Sequence, residues 1–342
     1  MSVALPDPRG PLTAALLDAL PTDPGGAHHR LAALEPADAD PLADEDLQLA
    51  LYLAYELHYR GLPDVDERWE WQPDLLTLRA RLEERFERRL RELAGPVDDP
   101  APDEVDLALR AVADADDGPS LSRHVERDAT IDQVRELLAH RSAYQLKEAD
   151  PHSFALPRIW GRPKSAMVEI QVDEYGGGKP DRIHADLFAA AMRAIGLDDR
   201  YGAQLDVLPA ETLATVNAAS LFGLHRRLRA AAVGHLALTE MTSSVPSRRY
   251  AAGLRRLGFD EPAATEFFDE HVEADAVHES IAAVDLAGGL AGQDRAHGAE
   301  VLFGARALAG LERRFAEALL GAWERGGSSL RGPVRRAEPV AA

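Results

Sequence analysis

Cysteine is absent from all 342 residues. That removes disulfides, thiolate zinc sites, iron–sulfur clusters and cysteine nucleophiles together, so any metal here must be held by histidine and carboxylates. The absence also fits a reducing cytoplasm. Basic residues are in deficit, 38 Lys plus Arg against 58 Asp plus Glu, a net charge of −20. Such a chain repels phosphate backbones and anionic membrane surfaces, so neither nucleic acid nor a membrane is an expected partner. No apolar run of 18 residues exists, and the start MSVALPDPRGPLTAALLDALPTDPGG is interrupted by prolines and acids. No signal peptide or spanning helix is expected, and the chain reads as soluble and cytoplasmic. Catalytic signatures are missing too: there is no GxSxG, no HExxH and no strand before a glycine-rich turn. The run Gly176-Gly177-Gly178-Lys179-Pro180 is not a phosphate loop, because Asp173 stands where the first glycine belongs and Pro180 where Ser or Thr would hold magnesium.

What the chain does have is alanine, leucine and helical periodicity, with 46% hydrophobic residues and only 6% aromatic. Residues 1–43, rich in Pro, Ala, Asp and Gly, suggest a mobile tail. From Asp44 the pattern is helical up to Gly61, and Pro73 to Gly95 reads as a long amphipathic helix. The stretch Gly95 to Ser120 carries eight acids against one Arg, with four Pro, and reads as a solvated connection around a short helix at Val105 to Val112. The expected division is therefore a tail at 1–43, an accessory helical region and acidic linker at 44–120, and a main domain at 121–330. Further helices are expected over Ile131 to Ala149, Lys164 to Tyr175, Pro180 to Ile195, Ala210 to Thr242, Ser247 to Leu257, Pro262 to Asp285 and Gln293 to Gly326, with a frayed end. Strand-like alternation is nearly absent, so the fold class is all-α, with a bundle-like second half.

The segment FFDEHVEADAVHESI lies within one of these helices, and His271, Asp275 and His278 fall at i, i+4 and i+7, which shares one face among them. Two imidazoles and a carboxylate there form a ready set of divalent-metal ligands. A solvated stripe is the plainer alternative, since Glu270, Glu273 and Glu279 mark the same helix as acidic. A second pair, Glu174 and His184, flanks the GGGKP break, which lets both side chains turn to one point; Asp181 makes an Asp-x-x-His with the same His184. Glu148 closes the helix from Ile131, where an acid opposes the helix dipole. Three carboxylates and three imidazoles on facing helices can hold two irons with open positions, where O₂ can bind and be reduced.

The order Glu148, then Glu174-x9-His184, then His271-x3-Asp275-x2-His278, with the phrases LPRIWGRPKSAMVEIQVDEYGGGKPDRIHADLF and FFDEHVEADAVHE, resembles the haem-oxygenase-like diiron oxidases and oxygenases, or iron-containing redox enzymes, over roughly residues 125 to 325. The resemblance implies a haem-oxygenase-like helical bundle, here with accessory N-terminal helices. It implies two Fe(II) ions, one on Glu148, His184 and His278 and the other on Glu174, His271 and Asp275, with O₂ as cosubstrate. It also implies an oxidoreductase that acts on a small molecule by N-oxygenation, desaturation or oxidative C–C cleavage. Without cysteine for an electron-carrying cluster, electrons would come from an external donor.

Other polar residues weigh less. Glu169 and Asp173 read as helix-surface residues or supports for the ligands, and Glu240 as a buried acid facing the cluster. Glu56 and His58 read as packing or an internal hydrogen bond, His28, His29 and His297 as solvated, and Lys147, Arg158 and Lys164 as surface charge. Two rival functions remain: a metal-free enzyme on the same scaffold, such as a thiaminase-like or cofactor-free oxidase, and a ferritin-like iron-binding helical protein. The first does not need the carboxylate and imidazole set, and the second normally uses small uniform subunits.

Overall fold

A computed structural model of the chain describes residues 4–337, apart from the side chains of residues 273–277. The elements run α1 (Pro11–Ala19), α2 (His29–Ala32), α3 (Glu45–Glu56), α4 (Pro73–Ala94), α5 (Val105–Asp114), α6 (Leu121–Arg127), α7 (Ile131–Gln145) and α8 (Asp150–Ser153). They continue with α9 (Gly161–Glu174), α10 (His184–Ala194), α11 (Ala210–Leu224), α12 (Arg229–Thr242), α13 (Ser244–Arg256), α14 (Pro262–Ser280), a π-helical segment (Ile281–Gly288), α15 (Gly289–Gln293) and α16 (Ala296–Glu324). Among the described residues the only strand-like pairing is an isolated antiparallel bridge between Leu197 and Arg336. The fold is all-α.

Local chemistry sets the helix ends. The Asp44 carboxylate accepts from the N–H groups of Asp46 and Leu47 at the start of α3, Gln72 caps Leu75 N–H at 2.8 Å above Pro73, and Thr130 with Gln133 closes a capping box on α7. Helix α3 is buried from Leu47 to Glu56 on every side, so it is a central rod.

The N-terminal residues are not a tail. Leu12 and Leu16 of α1 and Leu20 at its C-cap fall at four-residue spacing, and with Leu31 and Leu42 they sit in one hydrophobic core with α3, α4, α11, α12 and α16. Asp46 fastens the start of α1 by accepting from Leu12 N–H and Thr13 N–H, both at 2.8 Å. Composition misled here because few apolar residues suffice when all lie on one face. The acidic stretch 95–120 is likewise no gap in the core: Val105 and Leu109 of α5 are fully buried in a cluster with the π-helical segment, α12 and α16. Accessory helices and main bundle therefore share a continuous interior. The last described residues are also tied down, with Arg331 N–H on Val207 O at 2.9 Å and Ala337 N–H on Gly196 O at 3.2 Å.

Two breaks differ from the expected pattern. The stretch Ala210 to Thr242 splits into α11 and α12, and Arg158 caps the end of α11 through the carbonyls of Gly223 and Leu224. Beyond Ser280, α14 widens into the π-helical segment, a form that recurs beside functional sites. Helices α12 and α16 cross almost in backbone contact: a Cβ on Gly234 would stand 1.8 Å from Val301 O, and one on Gly304 2.0 Å from Ala231 O. That close crossing fixes the height of Glu240 on α12 and of Glu312 on α16.

Candidate metal centre

The site is assembled where α7, α9, α10, α12 and α14 meet. Glu148 lies in the turn after α7, where Gln145 Nε2 donates to its Oε1 at 3.1 Å. Glu174 is the last residue of α9 and His184 the first of α10. Between them Gly176, Gly177 and Gly178 all take positive φ, and a Cβ on Gly176 would lie 2.8 Å from the backbone at Arg182 and Ile183. Only glycine allows a reversal this tight. Its product is the pair Glu174 Oε2 and His184 Nδ1, 3.2 Å apart.

His271 on α14 donates from Nδ1 to the carbonyl of Phe267 at 2.7 Å, which orients the ring so that Nε2 faces Glu148 Oε1 at 3.6 Å. A histidine held at one nitrogen by a carbonyl presents the other as a metal ligand. The rings of His184 and His271 have centroids 4.5 Å apart. Ligand atoms of Glu148, His184 and His271 all lie within 4.8 Å of one another. Two turns further along α14, His278 donates from Nε2 to Asp173 Oδ2 at 2.9 Å and sets Nδ1 3.3 Å from Glu240 Oε2.

The cluster is buried: Glu148, Glu174, His184, Glu240, His271 and His278 are each no more than 8% exposed. Glu148 Oε2, Glu174 Oε2, His184 Nδ1 and His278 Nδ1 are buried without hydrogen-bond geometry to any partner. Polar atoms are rarely left so in a protein interior unless a cation or water completes them. A void of about 10 Å³ lies among Tyr144, Glu148, Glu174, Glu240 and His271, room for one small body.

The electrostatics match. Burial pushes the Glu174 carboxyl up, but the imidazoles of His184, His271 and His278 bring it below its ordinary value. Burial pushes His184 down, and Glu174 overcomes this so that it is raised. His278 is also opposed by burial, yet Glu240 and then Asp173 push it up to about 9. Positive charge is therefore favoured at this point. The Tyr144 phenol is pushed well up, by burial and then by Glu148, Glu174 and Glu240, so it stays a proton donor.

The structure thus brings together Glu148, Glu174, His184, His271 and His278. It seats His271, rather than His278, with Glu148 and His184, while His278 faces Glu240 and Asp173. Asp275 lies among the side chains outside the described residues. Asp181 and Glu169 are exposed and are not part of the buried cluster. Two residues read as surface are not: Lys147 is buried against Glu56, their side chains 1% and 2% exposed, and His297 is buried with Nδ1 donating to Leu290 O. Sequence reading missed Arg141, His152 and His235. Arg141 could have been found from its spacing, since Arg141, Tyr144 and Gln145 share one face of α7 and lead directly to Glu148.

An all-α bundle with a buried carboxylate and imidazole cluster on its central helices is an arrangement that can hold metal ions in its interior. The family model described as iron-containing redox enzyme matches residues 135–313, just over half of the chain, and the chain belongs to that family. It is accordingly an oxidoreductase. No curated protein matches it. Among the described residues no helix is long and apolar enough to cross a membrane.

Proposed function

We propose that this protein is a non-haem diiron oxidase or oxygenase that uses O₂ to oxidise a small organic molecule in the cytoplasm, with electrons from an external donor. The observation that supports it most is the approach of Glu148, His184 and His271 ligand atoms to within 4.8 Å of one another, beside Glu174, His278 and Glu240. Two irons would be held by Glu148, Glu174, His184, His271, His278 and Asp275, with Glu240 as a further carboxylate. When bound, such a pair supplies open positions for O₂ and electrons for its reduction.

The chain's own residues do the rest. Gln145 and the Phe267 carbonyl orient Glu148 and His271, and Asp173 fixes His278 through its Nε2 proton. Burial excludes bulk water, which limits unproductive reduction of O₂. The Tyr144 hydroxyl holds a proton beside the void.

The test is anaerobic loading with Fe(II) followed by metal analysis. About two irons per chain are expected, since the cluster divides into two ligand groups. At most one iron, with Glu148 and Glu174 both dispensable for it, would refute the reading.

A further inference from the structure

Beside the metal centre lies a cavity of about 330 Å³. At its inner end are Glu148 and His271, and towards Gly118, Ser120 and Arg313 it approaches the surface. Between these ends stand Arg141 of α7 and Glu312 of α16, joined by two bonds, Arg141 Nη1 to Glu312 Oε1 at 2.7 Å and Nη2 to Oε2 at 2.6 Å. The guanidinium also lies 4.5 Å over the Phe315 ring. The two side chains keep 26% and 35% of their surface accessible while lining the cavity, so each has donor or acceptor capacity left for an occupant.

Seven residues of chain separate Arg141, in the last turn and a half of α7, from Glu148 in the turn that follows it. The wall over that distance includes Leu137, Leu138, Phe188, Phe267 and Phe268, all buried. An occupant therefore has a polar head at the Arg141–Glu312 pair, an apolar stem and a far end at Glu148 and His271.

The charge of the head follows from the pair. A lone anion attracted to Arg141 meets the Glu312 carboxylate beside it, and a lone cation attracted to Glu312 meets the guanidinium. A head that carries both signs on neighbouring atoms can divide one bidentate bridge into two charge-assisted contacts without leaving either partner buried and unpaired. We propose that the cavity binds a free α-amino acid with an apolar stem, its ammonium on Glu312, its carboxylate on Arg141 and its side-chain terminus at Glu148 and His271. The direction of binding rests on the oxidase reading of that cluster and implies oxidation on the side chain rather than at the α-carbon.

The test is calorimetric titration of the full-length protein, equilibrated with Fe(II) under argon, with L-norleucine, hexanoate and pentylamine. These three present the same stem with both charges, the carboxylate alone or the ammonium alone. Norleucine is expected to bind roughly tenfold or more tightly than either, the worth of one hydrogen bond to a charged group. Glu312→Gln should invert the preference towards hexanoate, and Arg141→Met should invert it towards pentylamine. Opposite inversions cannot come from a general loss of folding. Equal binding of norleucine and hexanoate, no binding of norleucine, or a norleucine preference that survives Glu312→Gln would each overturn the proposal. Iron content measured on the same samples reports on the metal centre separately.

Discussion

The buried pair of Lys147 and Glu56 joins the turn that carries Glu148 to a helix outside the family-matched segment, and its removal should be felt at both ends. Lys147 Nζ donates to Glu56 Oε2 at 2.8 Å, and Tyr201 donates to Oε1 of the same carboxylate at 2.7 Å. The ammonium lies 4.2 Å over the Tyr59 ring and 4.7 Å over that of Tyr52. Next to it, Arg60 Nη2 donates to the Leu146 carbonyl at 2.9 Å. Residues 146 and 147 are thus gripped from the accessory helices, and residue 148 is the proposed ligand.

Glu56→Leu leaves the ammonium in an aromatic cage without a counter-charge, which should cost about 3–5 kcal/mol, a large part of a typical stability of roughly 5–15 kcal/mol. Lys147 can avoid that cost only by swinging out and taking the 146–149 turn with it, so Fe(II) binding should weaken as well. Adding Lys147→Met removes the stranded charge. The double variant should regain all but about 1 kcal/mol, the residue being the acceptor lost by Tyr201, and should recover iron with it. Urea unfolding gives the first quantity and Fe(II) loading the second. A Glu56→Leu protein within 1 kcal/mol of the parent, or a double variant as unstable as the single, would refute this account.

Much of the centre was legible because it is local. The spacing of His271 and His278 puts both on α14 whatever the tertiary structure, and the GGGKP run can only reverse the chain between Glu174 and His184. Which imidazole meets Glu148 was not legible, since that depends on how α14 rotates against α7 and α10. Glu169 and Glu240 are both helical carboxylates near the motif, yet α9 exposes one face and α12 is buried nearly all round, so only Glu240 reaches the centre. Lys147 read as surface because a buried lysine needs an anion, and its anion lies 91 residues away. The leucines of α1 carried the correct period, but proline and aspartate between the early helices masked it.

Three more outcomes are expected. His271→Ala and His278→Ala should each abolish O₂ consumption with helix content nearly unchanged; a variant that reacts at the parental rate does not lack a ligand. Hydrogen exchange across residues 262–285 should slow when Fe(II) binds, because the metal ties the buried imidazoles of His271 and His278 to ligands on other helices; equal protection in both states, with iron bound, would show a preformed helix. The third concerns acid. His140 is enclosed, with Nδ1 2.6 Å from Thr212 Oγ1 and Nε2 2.9 Å from Ser329 Oγ, and His235 Nδ1 lies 3.1 Å from His152 Nε2. Burial, then the charge of Arg141, pushes His140 down to about 3, and burial pushes His235 down to about 4. Both fold neutral, whereas the unfolded chain protonates them near pH 6.5. Their stabilisation is therefore complete above that pH and is lost as pH falls from 6.5 towards the folded values. At about 1.4 kcal/mol per unit, each should remove roughly 2–3 kcal/mol by pH 4.5. Urea midpoints at pH 7.5 and 4.5 measure the loss, and His140→Gln separates it from carboxylate titration because glutamine keeps polar contacts but cannot take the proton. The variant should lose less stability over that interval than the parent; an identical loss would mean that His140 contributes nothing to acid sensitivity.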